Sequence, residues 1–526
     1  MRTHMKNRVE GLLVLSAIPI LLGIGVIQNR YFIHDDAYIS LRYCSHLLQG
    51  DGLTWNPGER VEGYTDFLHI MLISGLGWFG LELTMAARVV NFAALLLTVL
   101  FVATFLLRRT ARVTRNTSLV CVGVPVLFVA ASYPLITWCW GGLEGPLFTL
   151  LSTLGIGLVL TVLEGRGGTR CAALAGLAFA LAVLTRPDAV VFVAVAVAFM
   201  AVNLCRGQRY AGRNWLALLV VFGLVVLAHG AWRISYYGDW VPNTFYAKMV
   251  GLPRESLDMG LMYLTSFCLA PPYILPLTLL LSPFAFRNEN RKMSLYLASN
   301  LAAYLAFIVS AGGDHMPAFR LTLPLIPICA LLLFASLDNL TRGALRGNVP
   351  AVAVVGVLLV AIQIRQPGGE FKDPAAFYGT IIGEYIRGAW PAGSLVALHT
   401  AGSTPYYAPE NTYIDMLGLN DRYIARRRIP FYQLSWQRAP GHGKGDGKYV
   451  LSRKPDYIIL GAALGVSVED PWFLSDAELR DDPEFHQDYQ KRIVHINAKP
   501  YYGYERMESA STGSVRFIYY ERVESG

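Results

Sequence analysis

Residues 34–69 read HDDAYISLRYCSHLLQGDGLTWNPGERVEGYTDFLH, and they come just after an apolar run, Val9 to Ile27, of the length that a membrane-crossing helix needs. Two adjacent acids, Asp35 and Asp36, therefore stand where a span would leave the hydrocarbon. Apolar windows long enough to cross about 30 Å recur as far as residue 364. With 54% hydrophobic and 16% charged residues, the chain lies well outside the balance of a soluble globular protein. The reading is a polytopic α-helical membrane protein.

From about Gln366 the character changes, with 15 of the 28 tyrosines in the last 161 residues and no further apolar run of spanning length. This divides the chain into a membrane domain, 1–365, and a soluble domain, 366–526. In the latter, GEYIRGAW, SLVALHT, DYIILG and VRFIYYERV alternate helical and strand-like patterns, which predicts a small α/β domain. Its tyrosines read first as strand and core residues, with stacking on sugars as the alternative.

The net charge of +8 sits largely in short loops between apolar segments. That pattern orients a membrane protein and does not point to nucleic acid. Seven cysteines lie almost entirely in apolar segments without CxxC spacing, and the tail has none, so neither a metal cluster nor a disulfide framework is expected. MRTHMKNR with the apolar run behind it has no small-x-small cleavage site and reads as a retained first helix, its basic end cytoplasmic.

Expected spans are 9–28, 88–107, 117–137, 143–163, 171–185, 187–204, 214–232, 267–286, 293–311, 319–337 and 349–364, eleven in all. Starting inside, the cytoplasmic loops become 108–115, 164–170, 205–213, 287–292 and 338–348, every one basic. Counting the apolar segment 67–81 as a span would reverse them all. It is therefore assigned to an interfacial or re-entrant helix of the first external loop, 29–87. The soluble domain then lies outside, opposite the N-terminus.

This orientation gathers the polar loops on one face, with Asp35, Asp36, Glu62, Glu144, Arg186, Asp188, Asp239, Lys248, Asp314, His315 and Arg320 among them. Asp35 and Asp36 admit two readings. A helix starting near Asp36 favours acids by capping and by its dipole. Alternatively, one carboxylate acts as a general base while its neighbour tunes it or binds a metal. Arg42, on the same helical face, either pairs with an acid or meets an anionic substrate. Arg186, Lys248 and Arg320 stand at span ends, where each either snorkels or meets a phosphate head group. Glu144 in WGGLEGP is a capping acid or a sugar contact. His315 in AGGDHMPAFR is a metal ligand or a hydrogen-bonded loop histidine.

Taken in order, the DD after the first span, NPGERVEGYTDF, GGLEGPLF, LTRPD, YYGDWVPNTFYAK and GGDHMPAFR resemble the membrane glycosyltransferases of the GT-C type. More narrowly they resemble the branch with the mycobacterial terminal arabinofuranosyltransferase and the pilin arabinofuranosyltransferases. The resemblance runs through about residues 1–340 and continues weakly into YIDMLGLNDRYIARR (413–427). It implies transfer of a sugar, arabinofuranose first, from a polyprenyl-phosphate donor to a hydroxyl of a cell-envelope glycan or glycoprotein, outside the bacterial cytoplasmic membrane.

By the family pattern the catalytic carboxylate is Asp35 or Asp36, with Asp35 slightly preferred. Arg42, Glu62, Tyr64, Glu144, Arg186, Asp188, Asn243, Tyr246, Lys248, Asp314, His315 and Arg320 become the candidate substrate contacts. No cofactor is assigned, although a divalent cation beside the acids is compatible with the chemistry. The partners are the lipid donor, the acceptor and the bilayer. The alternatives are a mannose or other hexose donor and, from a different class, a transporter of lipid-linked sugars. The loops on one side and the lack of an evident repeat favour the enzyme.

Overall fold

The computed structural model describes residues 19–20, 22–113, 119–207, 211–248, 253–287, 290–341, 349–365, 373–429, 434, 437, 441–498 and 513–523. Most of the expected first span, 9–28, lies outside the described residues, as do Gln366 at the expected domain boundary and parts of the basic loops 108–115, 205–213, 287–292 and 338–348. The chain divides into two compact units. The first comprises Met1–Arg30, Arg88–Ala231 and Pro253–Phe371, and the second Tyr31–Ala87, Trp232–Leu252 and Lys372–Gly526.

Among the described residues, six helices are long and apolar enough to cross a membrane: Leu83–Thr110, Cys121–Gly141, Gly145–Leu163, Pro187–Cys205, Gly212–Tyr237 and Arg291–Ser310. A bent pair, Glu255–Leu269 and Ile274–Ala285, makes a seventh if it counts as one span. The protein is a multi-pass helical membrane protein. The helices of the first unit approach closely where side chains are small: a Cβ on Gly176 would lie 2.4 Å from the Leu218 carbonyl oxygen.

Two expected spans have different limits. The helix at 267–286 is really two, bent by 83°, because Pro271 and Pro272 carry no N–H and interrupt the ladder. The span at 319–337 starts only at Leu325, since Ala318 and Phe319 adopt left-handed backbone at φ 53° and 50°. In 67–81 the helix is Phe67–Trp78. Its 12 residues extend about 18 Å, too short for the hydrocarbon. Trp78 and Phe79 at its end are exposed.

In the second unit a five-stranded sheet has the order β2-β1-β3-β5-β4: β1 Leu395–Leu398, β2 Thr412–Asp415, β3 Tyr457–Ile458, β4 Tyr489–Asn497 and β5 Ser514–Arg522. β1 runs parallel to β2 and β3, while β5 is antiparallel to β3 and β4. One core on this sheet holds Ile414, Met416, Leu451, Ile458, Phe485 and Tyr520. Trp390 stacks on Tyr457 at 3.8 Å.

The C-terminal residues share their unit with the first loop. Residues of that loop are built into the unit's core: the Trp55 indole N–H donates to the Ala401 carbonyl at 3.2 Å, and the Asn56 amide donates to the Tyr413 carbonyl at 2.7 Å. The unit that holds the sheet is therefore larger than the expected domain 366–526.

Candidate active site

The helix Asp35–Gln49 places both acids in its first turn, where the helix dipole favours negative charge. The side-chain cap is not an acid. His34 Nδ1 accepts from the Asp36 N–H at 3.2 Å.

Asp35 is buried and held by a loop more than 360 residues away. Its Oδ1 accepts the Ser403 N–H at 2.8 Å and the Ser403 hydroxyl at 2.6 Å, and its Oδ2 accepts the Gly402 N–H at 3.2 Å. Only glycine fits at 402, because a Cβ there would lie 2.0 Å from the Asp35 carbonyl oxygen. The Asp35 N–H in turn donates to Asp373 Oδ2 at 2.6 Å. Burial pushes the Asp35 carboxyl up to about 7, with nearby Asp373 adding to the shift and the Ser403 donors opposing it. Asp36, one residue on, is partly exposed.

Arg42 is enclosed. It is 1% exposed, donates to the carbonyls of Trp55 (2.7 Å), Pro405 and Asn411 (3.3 Å), and lies over the rings of Trp55 and Tyr413. Burial lowers it to about 10, so it keeps its charge at neutral pH. Tyr64 is buried too, its hydroxyl 3.1 Å from that of Tyr237. Glu62 forms a fork with Arg233, at 2.7 and 3.1 Å. Asn243 is likewise buried, and its amide donates to the carbonyls of Gly418, Leu419 and Asp421 at 2.9, 3.0 and 3.2 Å. Asn243 therefore braces backbone, whereas Tyr64 and Glu62 are held by other side chains. Tyr246 is half-buried beneath the Arg426 guanidinium, 4.3 Å from its centroid. Lys248 is exposed and runs beside Gly441.

The segment braced by Asn243 is YIDMLGLNDRYIARRR, 413–428. Buried Asp415 organises it, accepting from the N–H groups of Leu417 and Gly418 and from both the N–H and the amide of Asn420. The Tyr43 hydroxyl, 3.1 Å from Asn420 Oδ1, fixes the other side of that amide. Asp421 caps the short helix Arg422–Arg426, and the side chains of Arg422 and Arg426 both reach Asp239, at 2.7 and 2.8 Å. Three stretches distant in sequence, 34–69, 232–248 and 413–428, thus meet within the second unit.

The remaining candidates belong to the first unit. Arg186 bridges two carboxylates, with Nη1 2.6 Å from Glu144 and Nε 3.0 Å from Asp188, and the Tyr304 hydroxyl donates to Asp188 at 2.5 Å. Arg320 pairs with Asp314 at 3.0 Å and lies over the Trp138 ring. His315 Nδ1 is 3.7 Å from Asp314. Among the described residues, no group of three or more His, Cys, Asp and Glu is placed to hold a metal ion.

Sequence reasoning missed Asp373, Gly402 and Ser403, the partners of Asp35, which carry no local signal. Arg233 and Arg422 could have been found, because both lie inside motifs that stood out.

Residues 371–512 match a domain of unknown function (DUF8728). Over 289 residues the chain is 30% identical to the terminal β-(1→2)-arabinofuranosyltransferase of Mycobacterium tuberculosis (strain ATCC 25618 / H37Rv), a match covering 52% of this chain and 43% of that protein. The aligned part thus spans less than half the relative's length. ArnT from Cupriavidus metallidurans has a similar structure in its apo state, with a TM-score of 0.55 and 13% identity over 97% of both chains. The same protein bound to undecaprenyl phosphate gives 0.57 and 14% over 98% of both. The chain therefore has the fold of the GT-C type membrane glycosyltransferases, as its motifs implied, and within that type its sequence is similar to an arabinofuranosyltransferase.

Proposed function

We propose that this protein is a membrane glycosyltransferase that moves arabinofuranose from a polyprenyl-phosphate donor to a hydroxyl of a cell-envelope glycan or glycoprotein. The observation that carries the reading is the pairing at the start of the helix Asp35–Gln49: a partly exposed Asp36 beside an Asp35 locked by Ser403 and Gly402. It reverses the expected preference, making Asp36 the base and Asp35 its support. The fold shared with ArnT, one of whose structures contains undecaprenyl phosphate, supports the lipid donor. The sugar rests on the arabinofuranosyltransferase relative.

In the proposed step Asp36 takes the proton of the acceptor hydroxyl as its oxygen attacks the anomeric carbon. The bond from that carbon to the phosphate oxygen breaks, and the lipid phosphate leaves with the electron pair. A phosphate is already a good leaving group, so positioning, a base and positive charge suffice. Lys248, exposed, is assigned to the departing phosphate. Arg186 and Arg320 are assigned to holding the loops of Glu144, Asp188, Asp314 and His315.

The proposed topology keeps eleven spans. The bent pair counts as one, and the shorter helices Thr169–Thr185, Leu325–Leu340 and Val349–Arg365 join the six long ones, with the N-terminal apolar run first. The N-terminus is then cytoplasmic, and the first loop and residues 366–526 lie outside the cytoplasmic membrane.

The test uses the full chain in nanodiscs with an arabinan oligosaccharide and either polyprenyl-phosphate arabinofuranose or the mannose analogue. Transfer of arabinose supports the reading, and transfer of mannose alone makes the donor a hexose. Lipid flipping without transfer would replace the enzyme by a transporter.

A further inference from the structure

The second unit carries a cleft outside the carboxylate site. One part is a cavity of about 610 Å³ whose lining includes Asp421, Arg422, Tyr423, Tyr449 and Arg453. A second, of about 500 Å³, is lined by Tyr246, Arg426, Arg427, Arg428 and Lys444 among others. Arg426 and Arg427 line both, so the two are neighbouring parts of one surface. Each falls in the size range of ligand sites.

The two parts differ in chemistry. In the first, the rings of Tyr423 and Tyr449 stack at 4.3 Å and 18°, and Tyr423 is 59% exposed, which leaves an aromatic face open. The lining of this part also holds four arginines and two carboxylates, Glu59 and Asp421, which can donate to and accept from sugar hydroxyls. The lining of the second includes four cations and no carboxylate among the described residues. Asp239 takes Arg426, and Asp446 and Glu478 take Arg427. Exposed Arg428 has no carboxylate partner among the described residues, and the Lys444 ammonium donates to a backbone carbonyl, that of Arg427, at 2.6 Å. Lys444 is buried, so the positive charge left over beside the aromatic platform is that of Arg428. The loop that carries it is held in shape by Asp415 and Asn243, so the cations are positioned in advance.

We propose that this cleft binds a negatively charged stretch of the acceptor glycan, a sugar chain with carboxylate or phosphate groups. The word acceptor rests on the function proposed above, while the binding chemistry does not. A lipid phosphate would meet the cations but leave the tyrosine face unused.

The experiment titrates the full chain in nanodiscs with a galacturonate oligosaccharide, with a neutral arabinan oligosaccharide of equal length, and with undecaprenyl phosphate. The galacturonate binds at least tenfold tighter than the neutral chain, and raising the salt from 50 to 300 mM weakens it about tenfold. Arg428→Gln with Arg453→Gln weakens it about tenfold, and Tyr423→Ala about threefold, at unchanged melting temperature. Arg428→Lys with Arg453→Lys retains most of the binding, which separates charge from folding. Equal affinity for the neutral chain, or indifference to salt and to the Gln pair, overturns the proposal. So does undecaprenyl phosphate competing for the cleft and losing affinity in the Gln pair, which would make it a lipid-phosphate site. Asp36→Asn keeps full binding. A chain that binds the galacturonate but transfers no sugar overturns the function and leaves the cleft as an anionic-glycan site.

Discussion

The Asp35 carboxylate accepts two hydrogen bonds from Ser403, from the backbone N–H at 2.8 Å and from the hydroxyl at 2.6 Å. Of the two adjacent acids, the buried one is a structural bolt between the first loop and residues 402–403. Asp35→Ala removes the acceptor from two buried N–H groups, each worth about 1–3 kcal/mol when left unsatisfied. The melting temperature of the purified chain should fall by several degrees, and that of Asp36→Asn should hold within a degree.

The same bolt sets a pH dependence. Burial raises Asp35 from 3.8 to about 7, Glu62 from 4.5 to about 7 and Asp415 from 3.8 to about 6. Each folded carboxyl holds its proton more tightly than the unfolded one, so the stability they contribute is full below about pH 4 and is lost as the pH rises through 6 to 7. Melting curves between pH 4 and 8 should show this decline. Asp35→Asn should make it shallower by the share of Asp35, since the amide cannot ionise, while Glu62 and Asp415 keep theirs.

The Glu62–Arg233 fork is nearly buried, with side chains 2% and 17% exposed. Arg233→Ala leaves a carboxylate without its partner and should cost about 3–5 kcal/mol. Pairing Glu62→Gln with Arg233→Met should cost less than the sum of the single changes, which a double-mutant cycle of denaturant melts will measure.

Arg186 is held by geometry as much as by charge, because Nη1 and Nε address different carboxylates. A lysine has one point of charge and cannot span them. Arg186→Lys should therefore melt well below the native chain, close to Arg186→Gln, in the same thermal assay.

Much of this was legible in the residues, and what was not has physical causes. Long apolar runs announce helices by hydropathy alone, so the polytopic class came first. The limits of two helices did not, since Pro271 and Pro272 split one and the left-handed backbone at Ala318 and Phe319 delays another. Strand β4, YQKRIVHIN, has mostly exposed side chains on a sheet edge, so no apolar alternation betrays it. In the site, the adjacent acids were plain, but which one is buried depends on Ser403, whose partnership leaves no mark near residue 35. The burial of Arg42 was hidden for the opposite reason. A guanidinium seven residues after an acid reads as a surface group, whereas here three backbone carbonyls and two aromatic faces enclose it.

The most direct test is the rate of sugar transfer by Asp36→Asn in nanodiscs, with donor affinity and melting temperature measured on the same preparation. If Asp36 is the base, the rate falls by about 10²–10⁴ with both controls unchanged. A rate equal to that of the native chain would contradict that assignment.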